Sequence, residues 1–135
     1  MSGVLVDSNV LLDIALEDSL WFDWSAARLT EVEDEGAAVI INPIIYAELS
    51  AGYPAADPLD ALLADMAIVR EDLPWSAAFA AGRAFVAYRR RGGVRTSPLP
   101  DFFIGAHALV AGHRLLTRDG ARYRTYFPEL ELIAP

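Results

Sequence analysis

From Phe102 to Val110 the chain reads Phe-Phe-Ile-Gly-Ala-His-Ala-Leu-Val, a run with almost no polar side chain. Its punctuation is helical. Pro98 and Pro100 suit the approach to a first turn and not a helix interior. Asp101 falls in that first turn, where free N–H groups and the macrodipole favour an anion. Gly112 supplies the stop. A helix that is apolar nearly all round has no face to offer water, so it is buried and the rest of the fold must be arranged about it. Arg114-Leu115-Leu116-Thr117 then reads as a short strand, followed by Arg118 and Asp119. Two carboxylates, Asp101 and Asp119, thus bracket a buried helix and strand.

The remaining elements follow from the same signals. Gly3-Val4-Leu5-Val6 is a buried strand, and Asp7-Ser8-Asn9 caps a helix over Val10 to Leu16. Asp18 or Ser19 caps a second helix, Trp21 to Glu35, which Gly36 ends. Ala37 to Ile41 is the second strand, and Asn42-Pro43 opens a helix running to Gly52. Asp57-Pro58 opens another, Ala67-Ile68-Val69 is a third strand, and Asp72-Leu73-Pro74 starts a long helix ending in Arg89-Arg90-Arg91 and Gly92-Gly93. A helical turn over Arg122 to Tyr126 and a strand over Leu130 to Ile133 complete the chain. Continuous apolar strands alternating with helices predict a single-domain α/β/α sandwich over residues 1–135, with a central, mostly parallel sheet of four to five strands.

Composition narrows the chemistry. The chain has no cysteine, which excludes disulfides, thiolate nucleophiles and Cys-ligated metals. It has no lysine, which excludes P-loop and Schiff-base chemistry. Every strong cation is therefore an arginine, the planar donor suited to phosphate. The net charge of −8 conceals a division. Residues 1–72 carry fifteen acids and two arginines; residues 73–135 carry four acids and nine arginines. A local arginine cluster can dock nucleic acid on a protein that is acidic in bulk. No apolar run reaches the ~18 residues that span a bilayer, and no basic stretch precedes an apolar one, so a cytoplasmic protein with no membrane partner is expected.

Four acids gather at one sheet edge. Asp7 ends the first strand, Glu48 lies in the helix entered from the second, Asp101 opens the buried helix, and Asp119 follows the strand of Leu115 and Leu116. In such sheets ligands bind beyond the carboxyl ends of the strands. Asp7, Asp101 and Asp119 each also suit a helix cap, worth ~1 kcal/mol. Glu48, in mid-helix, does not. Burying ionised carboxylates without a counter-charge costs several kcal/mol each, and a hard divalent cation with oxygen ligands would offset it.

These residues resemble a family. Asp7 with Asn9, Glu48 in Ile-Tyr-Ala-Glu-Leu, Asp101 in Pro-Asp-Phe-Phe-Ile-Gly-Ala-His-Ala, and Leu-Leu-Thr-Arg-Asp119 look like the PIN-domain nucleases. More narrowly they look like the VapC-type toxins of type II toxin–antitoxin pairs, over the whole chain. The resemblance implies a Mg²⁺- or Mn²⁺-dependent endoribonuclease acting on RNA, usually a homodimer, silenced by a cognate VapB-type antitoxin. It makes Asp7, Glu48, Asp101 and Asp119 the catalytic and metal-binding quartet, with Asn9 and Thr117 at the supporting polar positions. Asp7 and Asp101 are the first choices for direct ligands, with Glu48 and Asp119 acting through water or a second ion. The alternative is a PIN-fold RNA-binding or RNA-processing protein with no antitoxin.

Other classes fail on particular residues. A phosphotransferase of the haloacid dehalogenase type needs an Asp where this chain has Asn9, and a lysine; a receiver domain needs the lysine too. His107 and His113, the only imidazoles, fit structural or surface positions better than a two-histidine ribonuclease mechanism. Arg89, Arg90, Arg91 and Arg95 suit either a solvated helix end or a phosphate clamp for RNA. Trp21 and Trp24 share one face of the second helix, while Phe22, Ala26 and Leu29 share another. One stripe packs the core, and the other either packs an edge or receives the partner.

Overall fold

The computed structural model describes residues 3–135. In chain order its elements are β1 (Val4–Val6), α1 (Ser8–Ala15), α2 (Phe22–Asp34), β2 (Val39–Ile41), α3 (Pro43–Ser50), α4 (Ala56–Asp65) and β3 (Val69–Arg70). They continue with α5 (Trp75–Arg90), α6 (Pro100–Ala111), β4 (Arg114–Leu116), α7 (Ala121–Tyr126) and β5 (Leu132–Ile133). The five strands form one sheet in the order β3-β2-β1-β4-β5, and every pairing is parallel. The expected α/β architecture is therefore the one found.

β1 is the centre of the sheet. Val4, Leu5 and Val6 are all fully buried, and successive strand residues point to opposite faces, so both faces are covered here. Ile41, Leu115 and Leu116 complete the same layer. Each such side chain contributes roughly 1.5–3 kcal/mol relative to exposure. The chain leaves β1 towards β2 and β3 on one side and returns to β4 and β5 on the other. The carboxyl ends of β1 and β4 consequently open a crevice where the order of strands reverses.

α6 begins at Pro100 and ends at Gly112, whose φ of +73° is the left-handed conformation that glycine adopts without a Cβ penalty. The His113 amide returns to the Ala108 carbonyl at 2.8 Å to close the end. Gly105 has a second task. A Cβ there would lie 2.6 Å from the Phe127 ring and 3.1 Å from Tyr123, so the missing side chain lets α7 and its C-terminal end sit directly on α6.

Some boundaries move. The third strand is Val69–Arg70 and not Ala67 to Val69, because Ala67 takes a φ of +54° and closes the turn after α4. It is an exposed edge. α4 starts at Ala56, ahead of the Asp57-Pro58 pair, which falls within its first turn. α2 starts at Phe22; Asp18 accepts the Leu20 and Trp21 amides at 3.1 and 2.7 Å and shapes the approach. The last strand shortens to Leu132–Ile133.

Candidate active site

Asp7 stands at the crevice. Its amide donates to the Leu116 carbonyl at 2.9 Å, continuing the β1–β4 ladder. The residue is only 5% exposed. Oδ1 accepts the Ser8 amide at 2.8 Å, so Asp7 is indeed the cap of α1. Oδ2 accepts the Thr117 hydroxyl and the Tyr123 hydroxyl, each at 2.9 Å. Burial pushes the pKa of Asp7 up to about 6, and the negative charge of Asp101 adds to it. The Tyr123 and Thr117 hydrogen bonds oppose the rise, and Glu48 reinforces it.

The other acids face the same place. α6 has no side-chain cap, so the Asp101 carboxylate is not spent on the helix end. Instead Oδ1 lies 3.3 Å from the Tyr123 hydroxyl and Oδ2 lies 3.3 Å from Arg122 Nη1. Glu48 on α3 accepts the Ser8 hydroxyl at 3.0 Å. Burial raises its pKa, the Ser8 bond works against the rise, and Asp101 repels its charge. Asp119 lines an open cavity of about 380 Å³ together with Asp101, Arg122, Thr125 and Tyr126. It does not cap α7.

Thr117 ties the set together. Its hydroxyl donates to Asp7 and accepts the Asp119 amide at 3.2 Å and the Asn9 side-chain amide at 3.4 Å. Asn9 Oδ1 in turn accepts the Arg118 amide at 3.3 Å. The structure thus brings all four acids, Asn9 and Thr117 to one edge.

The donor set suits a hard cation. All its ligand atoms are oxygens, and among the described residues the one basic side chain touching it, Arg122, is exposed and reaches only Asp101. Mg²⁺ keeps several waters and needs one or two carboxylates, so the acids need not all converge on one point. By distance alone another trio looks tighter: Glu71, His107 and His113 hold ligand atoms within 4.8 Å of one another. Its hydrogen bonds have the wrong polarity for a metal. The Gly3 amide donates to His113 Nδ1 at 2.9 Å, so the proton of that ring is on Nε2. Asn42 accepts the Ile45 amide with Oδ1, which turns its NH₂ group towards His107 Nδ1 at 3.0 Å. Both Nε2–H groups therefore donate to Glu71 Oε1, each at 2.8 Å, and neither has a lone pair to give. Burial works to raise the Glu71 pKa, but the His113 and His107 bonds hold it below the usual carboxylate range. The trio is a structural clasp.

The PIN-domain family model matches residues 4–128. The chain belongs to the PIN-domain family. No curated protein matches its sequence significantly. Solved structures share the fold. The chain is 17% identical to one in a Rickettsia felis VapBC2 complex bound to promoter DNA, with a TM-score of 0.72 over 98% of each chain. It is 15% identical to one in VapBC-1 from nontypeable Haemophilus influenzae, with a TM-score of 0.73 over 97% of this chain and 96% of that one. For FitAcB from Neisseria gonorrhoeae the values are 17% and 0.67, over 96% of each chain.

Around the acids of this PIN domain the arginines divide by role. Arg89 Nη1 donates to the Gly93 and Arg95 carbonyls at 3.2 and 2.9 Å, so it closes the loop after α5. Arg91 lies over the Tyr126 ring at 5.5 Å. Tyr126 packs edge-on to Phe102 at 5.2 Å and walls the acidic cavity, which sets Arg91 beside it. Arg90 and Arg95 are exposed. Trp21 and Trp24 are half-buried and meet edge-on at 5.9 Å. Arg118 covers Trp21 at 5.6 Å while its Nε donates to the buried Asp13 at 2.9 Å.

Sequence reasoning missed Ser8, Arg122 and Tyr123. Ser8 looks like part of a capping run, and Arg122 like one of many surface arginines. Tyr123 sits in Arg-Tyr-Arg-Thr-Tyr-Phe, which identifies an inward aromatic but says nothing of where its hydroxyl goes. Burial and the charges of Asp7 and Asp101 push that hydroxyl's pKa far up, so it stays protonated.

Proposed function

We propose that this PIN domain is a Mg²⁺- or Mn²⁺-dependent endoribonuclease that serves as the toxin of a toxin–antitoxin pair. The observation that carries the reading is the buried Asp7, placed within the fields of Asp101 and Glu48. Three acids that repel one another in a partly dry crevice are a costly arrangement unless a cation compensates it. Asp7 and Asp101 would hold the ion directly, with Glu48 and Asp119 reaching it through water. When bound, the ion supplies an activated water and offsets charge on the leaving oxygen. The chain's own residues do the placing. Thr117, Tyr123 and the Ser8 amide orient Asp7, the Ser8 hydroxyl orients Glu48, and Arg122 offers a donor to a phosphate entering beside Asp101 and Asp119.

The test is direct. Purified protein incubated with RNA should cut it internally when Mg²⁺ or Mn²⁺ is present, stop on chelation, and resume when the ion is restored. Cleavage that persists in excess chelator would refute the metal reading.

RNA would approach over the arginine side of the cavity. Arg91, beside Tyr126, is the nearest clamp, and Arg90 and Arg95 extend it. Replacing Arg90 and Arg91 together by Ala should weaken RNA binding and lower the log–log salt slope by roughly 0.7 for each lost contact to a single strand. An unchanged slope would return these residues to the solvated helix end. Arg89→Ala should instead loosen the loop it closes.

The partner proposed is a VapB-type antitoxin, in keeping with the VapBC complexes that share this fold. Trp21 and Trp24 are its candidate contacts. Leu16 and Leu20, exposed on the connection that leads into Trp21, enlarge that surface into an apolar patch. For a homodimer, the candidate face is Trp75 and Phe79, 92% and 70% exposed and one turn apart on α5. Among the described residues no helix is long and apolar enough to cross a membrane, and the cytoplasm is the proposed location.

A further inference from the structure

We propose that Tyr123 is the positioning residue of this site: its one buried hydroxyl locks Asp7 in the pose that meets the cation and leaves Asp101 free to close on it. The inference rests on the metal-dependent reading above. A tyrosine hydroxyl has a single proton to donate. The contact to Asp7 Oδ2 is 2.9 Å and the contact to Asp101 Oδ1 is 3.3 Å, so the proton belongs to Asp7.

The consequence for Asp7 is a choice between its two oxygens. Each carboxylate oxygen has two acceptor sites. Oδ2 is filled by Tyr123 and Thr117, whereas among the described residues Oδ1 takes only the Ser8 amide and keeps one site open. Tyr123 therefore directs the ion to Oδ1. Towards Asp101 the hydroxyl has only lone pairs left. That contact is unfavourable unless positive charge sits on the far side of the carboxylate, where Arg122 now stands 3.3 Å from Oδ2. One acid is held and the other is mobile between an arginine and an ion.

Packing fixes the hydroxyl itself. Tyr123 is 1% exposed, and its ring lies against Gly105 of α6 so closely that an added Cβ would meet it at 3.1 Å. A phenylalanine would fill the same space, so the core alone does not account for the oxygen.

The variant that isolates the hydroxyl is Tyr123→Phe, compared with the parent by calorimetric titration with Mn²⁺ alone. A group that orients a metal ligand typically controls 10–100-fold in affinity, and a loss in that range is expected here. With RNA as substrate, kcat at limiting Mn²⁺ should fall and recover as Mn²⁺ is raised, while KM stays near the parent value. A parent that fails to bind Mn²⁺ overturns the metal reading itself. A parent that binds, with a variant that binds equally well, overturns the role of Tyr123 alone. Should the variant not fold, the parent labelled with ¹³C at tyrosine Cζ gives the answer. Mg²⁺ must then shift a tyrosine resonance, and a spectrum in which none of the five moves overturns the proposal.

Discussion

Asp101→Asn should lower RNA cleavage by more than about 100-fold and leave the protein folded, since losing a direct ligand costs more than losing a group that only orients one. The substitution keeps the shape and removes the charge. It also removes the repulsion that Asp101 exerts on Asp7 and Glu48. In the absence of metal the variant should therefore melt at the parent temperature or above it. The lost contact to Arg122 is a partly exposed pair at 3.3 Å and offsets little of this. Mn²⁺ should stabilise the parent, by about 2.7 kcal/mol at a hundredfold excess over Kd, and the variant hardly at all. Normal cleavage by the folded variant would show that Asp101 is no part of the chemistry.

Asp7 makes stability depend on pH in an unusual direction. Its pKa is raised in the fold to about 6, above the ordinary value of 3.8. The folded state therefore favours the protonated carboxyl more than the unfolded chain does. That contribution is fully present below pH 4 and is lost as the pH rises through 6, at a cost of roughly 3 kcal/mol. Urea unfolding of the parent and of Asp7→Asn, both with chelator, should differ by this amount between pH 4 and 7, the parent showing the greater decline. Cation affinity should climb through the same window, because the ion competes with the proton. If the two proteins lose stability in parallel, Asp7 does not titrate as its surroundings demand.

Most of the architecture was legible because the chain punctuates its elements. Asn42 before Pro43 and Gly112 after α6 act as the sequence implies: Asn42 accepts the Ile45 amide at 2.9 Å, and Gly112 is left-handed. β3 was less legible, since a left-handed alanine at Ala67 has no signature and shifts the strand along. The four acids could be gathered on one edge because parallel strands end together. Whether each of the three aspartates caps a helix could not be read, and the structure answers that question: of the three, only Asp7 bonds a helix amide, and only with Oδ1. Arg89 shows the limit for surface charge, because sequence cannot distinguish a free guanidinium from one closing its own loop. Tyr123 shows the limit for polar atoms on apolar side chains. Its partner lies 116 positions away, and nothing local records the contact.

The central place of β1 also sets an order of events during synthesis. β1 pairs with β2 across a short separation, but its other neighbour is β4, with Leu5 opposite Leu115. Such distant parallel pairings form late, because loop-closure entropy must be overcome before any contact rewards it. Asp7, Ser8 and Glu48 emerge in the first part of the chain, whereas Asp101, Thr117, Asp119 and Tyr123 arrive near its end. A nascent chain thus holds half of the acids and neither of the hydroxyls that orient Asp7. If the molecule cuts RNA, it cannot do so before these later residues are made and β4 and α7 have docked.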